Sequence, residues 1–130
     1  MAEHHPRRKD KEIADEEELR GILRRGKYAT IGMASGDEPY VVSLSYGYDE
    51  ANGRLYFHCA REGRKLEFAK RNPNVCATVI EDRGYVPGKC DHDYSSLVIR
   101  GTLRPVEGLE EKKRGMDALL RHLEGDPDPI

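Results

Sequence analysis

The spacing of apolar residues along the chain changes from helical to alternating and back. Leu19, Ile22 and Leu23 recur three and four positions apart, as on one side of a helix. From Lys27 onward apolar residues fall at every second position, which is typical of strands with one buried face. The pattern predicts a helix at 15–26, strands at 27–34, 40–48 and 54–60, a helix at 63–72, strands at 74–82 and 94–107, and a helix at 108–124.

Strand connections indicate the class of fold. Short turns such as the Asn-Gly before the strand at 54–60 join neighbouring strands as antiparallel hairpins. A Gly- and Pro-containing loop is expected at 83–93, and the strand at 94–107 is long enough to bend into two. Five or six such strands with about three peripheral helices favour a mainly β protein, a small antiparallel barrel. The last helix is expected to turn five residues toward the core: Leu109, Met116, Leu119, Leu120 and Leu123.

The strand at 40–48 has two chemically different faces. One face carries only tyrosine, valine and leucine, and the opposite face carries Val41, Ser43, Ser45 and Gly47. The first face suits a barrel core, and the second fits a half-exposed strand with its serines facing water.

Length and charge restrict the classes of function. With 130 residues the chain is expected to form one domain at 15–124, with a flexible arm at 1–14 and a tail at 125–130. The formal net charge of −2 argues against nucleic-acid binding through bulk electrostatics. Neither a secretory signal nor an apolar membrane span is evident, and the three cysteines are odd in number, so we expect a cytoplasmic protein with no membrane partner.

Basic residues cluster where the strand at 54–60 passes into the following helix. Residues 54–72 contain six Lys or Arg and two Glu, a local net charge of +4. Arg61, Gly63, Arg64 and Lys65 fall at the junction, where the first N–H groups of a helix attract anions. The same residues also fit a solvated basic helix face, and spacing alone leaves both interpretations open.

The motifs around this junction resemble a known family. The stretches PYVV, YFHCAREGRK, RNPNVC and YSSLVIRG resemble the flavin-binding core of the pyridoxamine 5′-phosphate oxidase-like split-barrel superfamily, in particular its nitroimidazole-reductase (NimA-like) branch. The resemblance covers roughly residues 15–122 and implies a Greek-key split β-barrel that binds FMN as a homodimer. Family members often carry proline where this chain has Ser43.

The resemblance also implies roles for particular residues. A basic pair at Arg64 and Lys65 would hold the FMN phosphate, while the strand bearing Val41 would lie along the isoalloxazine ring. His58 would stand beside the flavin as a catalytic candidate, against the alternative of a structural histidine. The full candidate cofactor set is Val41, Val42, Ser43, Ser45, His58, Cys59, Arg61, Gly63, Arg64, Lys65 and Ser96.

The activity expected from the resemblance is a two-electron oxidoreduction. Electrons would pass from a reduced nicotinamide, NAD(P)H, through FMN to a small acceptor. The alternatives are a non-enzymatic flavin- or haem-binding module, and a reductase that uses the deazaflavin F420. The chain ends soon after the last helix, without the substrate-binding segment of true pyridoxamine phosphate oxidases, so vitamin B6 oxidation is not expected.

A metal site is not expected from the cysteine and histidine spacing. Only Cys90 and His92 lie close enough in sequence to act as paired ligands, whereas zinc sites usually contain two such pairs.

Overall fold

The computed structural model describes residues 16–58, 63–88 and 91–125. These residues contain three helices and five strands in the following order: α1 Glu16–Arg25, β1 Tyr28–Ser35, β2 Glu38–Asp49, β3 Arg54–Phe57, α2 Arg64–Arg71, β4 Asn74–Val86, β5 Asp91–Thr102 and α3 Leu109–Glu124. The predicted arm, residues 59–62, residues 89–90 and most of the tail lie outside the described residues.

The strands form one antiparallel sheet in the order β3-β2-β1-β4-β5. The first three strands follow one another as hairpins, and β4 returns to pair with the other side of β1. This return is a Greek-key connection. The sheet curls into a half-barrel, and the predicted mainly β split-barrel fold is confirmed.

The hydrophobic core lies on the concave side of the sheet. Alternate residues of β1 are buried there, and the helices α1 and α2 contribute Ile22 and Phe68. The rings of Tyr40 and Phe68 stack with centroids 5.1 Å apart, which fixes α2 against β2. The buried cluster consists of Ile22, Ala29, Ile31, Met33, Tyr46, Phe68, Ala77 and Val79.

Tyr46 is the largest fully buried side chain of the core. Its hydroxyl donates a hydrogen bond of 2.7 Å to the carbonyl oxygen of Leu23, which ties β2 to the end of α1. Burial raises the pKa of Tyr46 to about 12, because a buried phenolate would lose its hydration.

The β4–β5 hairpin is longer than the sequence predicts. β4 continues to Val86 and β5 begins at Asp91, so most of the predicted loop at 83–93 belongs to strands. The register shifts between Asp82 and Tyr85, and this irregularity interrupts the alternation from which strands are read.

The expectation that the last strand bends into two is wrong. β5 ends at Thr102, and residues 103–107 form no regular element. Pro105 has no N–H to offer to a sheet. The N–H of Leu103 donates to the carbonyl oxygen of Pro73 at 2.8 Å instead.

The helix α3 packs on the convex side of the sheet, over paired residues of β2 and β3. Gly47 and Tyr56 are cross-strand partners there, and both are buried. A Cβ on Gly47 would lie 2.6 Å from the carbonyl carbon of Ala118, and one on Gly115 would lie 2.7 Å from the Tyr56 ring. Glycines at these two positions therefore allow the helix and the sheet to approach closely.

This close approach corrects the predicted orientation of α3. Of the five residues expected on its core side, only Leu119 is buried, and the other four are 38–71% exposed. The buried side of the helix centres on Gly115 and Leu119. Met116 lies about 100° around the helix from Gly115, so the apolar stripe turns outward.

The end of α3 is fastened to the start of β1. The His122 imidazole is hydrogen-bonded through Nε2 to the carbonyl oxygen of Gly26, and its ring centroid lies 4.7 Å from that of Tyr46. Lys27 Nζ donates to the carbonyl oxygen of His122 at 3.0 Å. Burial lowers the pKa of His122, since the imidazolium form would be poorly hydrated there.

We expect Gly47→Ala to destabilise the protein by about 1–3 kcal/mol, because the added methyl group would push α3 away from β2. Urea unfolding measures this loss. Gly101→Ala on β5 is the matched control, because its Cβ would meet nothing within 4 Å. A Gly47→Ala variant as stable as the Gly101→Ala control would contradict the close packing of α3.

Candidate functional site

The convex side of the sheet carries an uncovered surface beside α3, called the outer face below. Its residues are the outward members of four strands, and the pairing aligns them in two rows. One row consists of Val41, Gly32, Cys76 and Arg100, and the next consists of Ser43, Thr30, Thr78 and Val98.

Small side chains keep the middle of the outer face flat. Thr30 and Ser43 share a hydrogen bond of 2.9 Å between their hydroxyl oxygens. Val41 is 64% exposed and Val98 is 60% exposed, although both are apolar. These two valines stand at opposite ends of the rows, on β2 and β5, so small and hydroxyl-bearing side chains occupy the outer face between them.

The residues Gly63, Arg64 and Lys65 form the anion corner at the start of α2. Gly63 precedes the helix with φ at 149°, a conformation that side chains disfavour, and a Cβ there would meet nothing within 4 Å. The first N–H groups of α2 therefore border a space open to a ligand, and the two cations are the first residues of the helix.

Arg64 connects the anion corner to β2. Its guanidinium lies 3.4 Å from the carboxylate of Glu38, in a pair whose side chains are both more than half exposed. Such an exposed pair contributes little to stability, so an anionic ligand competes with it readily. Glu38 lies three residues before Val41, which is about 10 Å along the strand.

His58 follows β3 directly and is exposed. Tyr46 pairs with Phe57, so the next step of the same register brings His58 level with Ser45. Phe57 packs against the core, and the alternation of strand side chains directs His58 to the other side of the sheet. His58 and Ser45 are thus neighbours at the edge of the outer face.

The remaining candidate cofactor-binding residues do not all lie on the outer face. Val41, Ser43 and Ser45 share the outer face, whereas the side chain of Val42 packs against the core, so only its backbone faces a ligand. Ser96 is also outward, but β5 stands three strands from β2, about 14 Å away. Cys59 and Arg61 lie outside the described residues.

Sequence reasoning did not identify the central outer-face residues Thr30, Gly32 and Thr78. The signal was present in the alternation of β1, where Ala29, Ile31 and Met33 are buried and the residues between them are not. Which strand lies beside β2 depends on the order of the strands in the sheet. The residue pattern of a single strand does not contain that order.

The match to a family model identifies the protein's relatives. Residues 15–130 match the family described as pyridoxamine 5′-phosphate oxidase. The chain belongs to this family. The split barrel with α2 at the end of β3 is the arrangement that the sequence motifs indicated, and the resemblance is confirmed. No curated protein sequence matches the chain.

Solved structures show the same fold. A proposed 5-nitroimidazole antibiotic resistance protein from Bacteroides thetaiotaomicron is 30% identical with a TM-score of 0.76, over 91% of this chain and 70% of that chain. An FAD-binding protein from Mesorhizobium loti is 26% identical with a TM-score of 0.68, over 85% of this chain and 75% of that one. A flavocytochrome from Azotobacter vinelandii, 18% identical with a TM-score of 0.72 over 98% of this chain and 62% of that one, shares the fold.

Among the described residues of this family member, no three His, Cys, Asp or Glu side chains form a cluster suited to a metal ion. No helix in this part of the chain is long and apolar enough to cross a membrane.

Proposed function

We propose that this family member is a cytoplasmic homodimer that binds FMN and passes electrons from a reduced nicotinamide to a small acceptor. The observation that carries the proposal is the contact between Arg64 and Glu38, which brings the anion corner to the end of β2 from which the outer face begins. Val41, the first outer-face residue of β2, lies about 10 Å along the strand from Glu38.

The anion corner has the chemistry that a flavin phosphate needs. Arg64 offers two parallel N–H donors to phosphate oxygens, and Lys65 adds a compact charge. The open approach at Gly63 lets the backbone N–H groups of α2 contact the same oxygens. The FAD-binding relative from M. loti supports a flavin in this family.

The outer face suits the flavin ring on one side only. Val41, Ser43 and Ser45 leave the backbone of β2 accessible along a flat strip, but nothing in the described chain covers the ring from above. A second copy packed on the outer face would supply the opposite wall. It would also bring its own Ser96 toward β2, which the 14 Å separation within one chain prevents.

Bound FMN would carry two electrons from NAD(P)H to the acceptor. The chain's own residues hold the phosphate, orient the ring and limit the access of water. His58, beside Ser45, is placed to donate a proton from its imidazole to an acceptor lying on the outer face. The relative from B. thetaiotaomicron makes nitroaromatic compounds the first acceptors to test.

The phosphate assignment predicts how two basic substitutions act. Arg64→Ala with Lys65→Ala should weaken FMN binding about a hundredfold or more, because each charged hydrogen bond contributes about 1.5–3 kcal/mol. Riboflavin lacks the phosphate, so its affinity should stay the same. Fluorescence titration of both ligands measures the difference, and Lys112→Ala with Lys113→Ala on α3 is the charge-matched control. Equal losses for FMN and riboflavin would refute a phosphate contact.

The dimer proposal predicts the effect of a charge on the outer face. Val98→Asp should yield a monomer that retains its fold but loses FMN, because the carboxylate would be buried against the second copy. Leu109→Asp is the control, since Leu109 is 71% exposed on α3 and away from this surface. Light scattering measures the oligomeric state, and flavin absorbance measures the FMN content. A Val98→Asp dimer with full FMN content would show that the copies meet elsewhere.

The role of His58 predicts a split between turnover and binding. His58→Ala should retain FMN and the dimer but reduce nitroaromatic turnover with NADH about 10²–10⁴-fold if the imidazole donates a proton. His58→Gln keeps a hydrogen-bond donor without a titrating group and should be nearly as slow. Normal turnover per bound flavin would remove His58 from the chemistry. Turnover of the wild type no faster than free FMN would favour a flavin- or haem-binding module.

A further inference from the structure

The concave side of the half-barrel contains a cleft, called the inner cleft, which the proposed flavin site does not use. β3 and β5 are the two edges of the sheet, and within the described chain each pairs with one neighbour only. The gap between these edges opens into a cavity of about 640 Å³. This volume lies within the range of about 300–1,000 Å³ that is typical of small-molecule sites.

The walls of the inner cleft are apolar side chains that the fold does not bury completely. Leu55 and Phe57 of β3, with Leu97 and Ile99 of β5, pack against the core but remain half-buried. The corresponding inward residues of β1 are at most 4% exposed. The two edge strands therefore retain apolar surface that a ligand would remove from water.

The mouth of the inner cleft is positively charged. Two arginines and one glutamate meet there, a local net charge of +1. The Glu111 carboxylate accepts hydrogen bonds from Arg54 on β3 and from Arg104, which follows β5. The Tyr56 hydroxyl lies 3.4 Å from the same carboxylate.

The contacts with the Glu111 carboxylate leave arginine N–H groups at the mouth that a second anion could accept from. The Arg54 and Arg104 side chains are 46% and 57% exposed, and each bonds Glu111 through one of its terminal nitrogens. A guanidinium has five N–H donors, so both arginines retain hydrogens that one carboxylate does not use. A second carboxylate at this position would balance the charge of the arginines.

We propose that the inner cleft binds a single-chain carboxylate of medium length, a fatty acid in chemical class. The hydrocarbon chain lies against the half-buried side chains of β3 and β5, and the carboxylate meets Arg54 and Arg104. The protein's own first 15 residues are a poor occupant, because they contain only four apolar side chains, those of Met1, Ala2, Ile13 and Ala14.

This site is separate from the proposed flavin site. The outer face is on the convex side of the sheet, whereas the apolar walls of the inner cleft are on the concave side and its charged mouth lies at the open edge beside the start of α3. Fatty-acid binding does not rest on the flavin proposal, and either is testable when the other fails.

Calorimetric titration of the full chain with octanoate, decanoate and dodecanoate, each below its micelle concentration, tests the apolar walls. Each added methylene should tighten binding about fourfold, as expected for a CH₂ group removed from water. Gly101→Phe should abolish binding by filling the cleft, because Gly101 lines it and has open space at its Cβ position. Absence of binding by the wild type, or affinity independent of chain length, would overturn the proposal.

Arg104→Gln tests the head group. It should weaken decanoate binding about tenfold or more, as for the loss of a charged hydrogen bond, and leave decanol binding unchanged. Arg121→Gln is the matched control, because Arg121 is 61% exposed and pairs with Asp117 on α3. An unchanged melting temperature and circular dichroism spectrum show that each variant is folded. Equal effects of Arg104→Gln on decanoate and decanol would overturn the assignment of the carboxylate to the mouth.

Discussion

The side chains of β2 alternate between two environments, and the other elements are arranged around this alternation. Tyr46 enters the core and bonds the end of α1, while its neighbour Gly47 leaves room for α3 on the opposite side. A shift of one residue in register would place the tyrosine against α3 and the glycine in the core. The sheet consequently has a filled concave side and a convex side that is only partly covered.

The two sides of the sheet offer different chemistry. On the convex side, small and hydroxyl-bearing residues form a flat surface that runs from His58 toward the anion corner. On the concave side, α1 and α2 fill most of the half-barrel but do not close the gap between β3 and β5. The two proposed ligands, a flavin and a fatty acid, are therefore assigned to different places in one small domain.

Arginine has two roles in this chain. Arg24 bonds both Glu17 and Glu50, and Arg25 bonds Glu81, so these residues link helices and strands through ion pairs. The Arg25 guanidinium, joined by Arg83, lowers the pKa of the Glu81 carboxyl. Arg64 differs, because its contact with Glu38 is longer and more exposed. A weakly held cation at the start of a helix is the one best placed to exchange its partner for a ligand.

The sequence by itself determined the order of elements, the two faces of β2, the basic junction at Arg64 and the family. These features depend on neighbours close in the chain, where side-chain period and turn residues suffice. The tertiary structure alone decided which strands lie side by side, and hence that Thr30 and Thr78 join Ser43 while Ser96 stays three strands away. It also decided the rotation of α3, because the contact of Gly47 with Ala118 joins residues far apart in sequence. Helical spacing gives an apolar stripe but not the neighbour against which the helix packs.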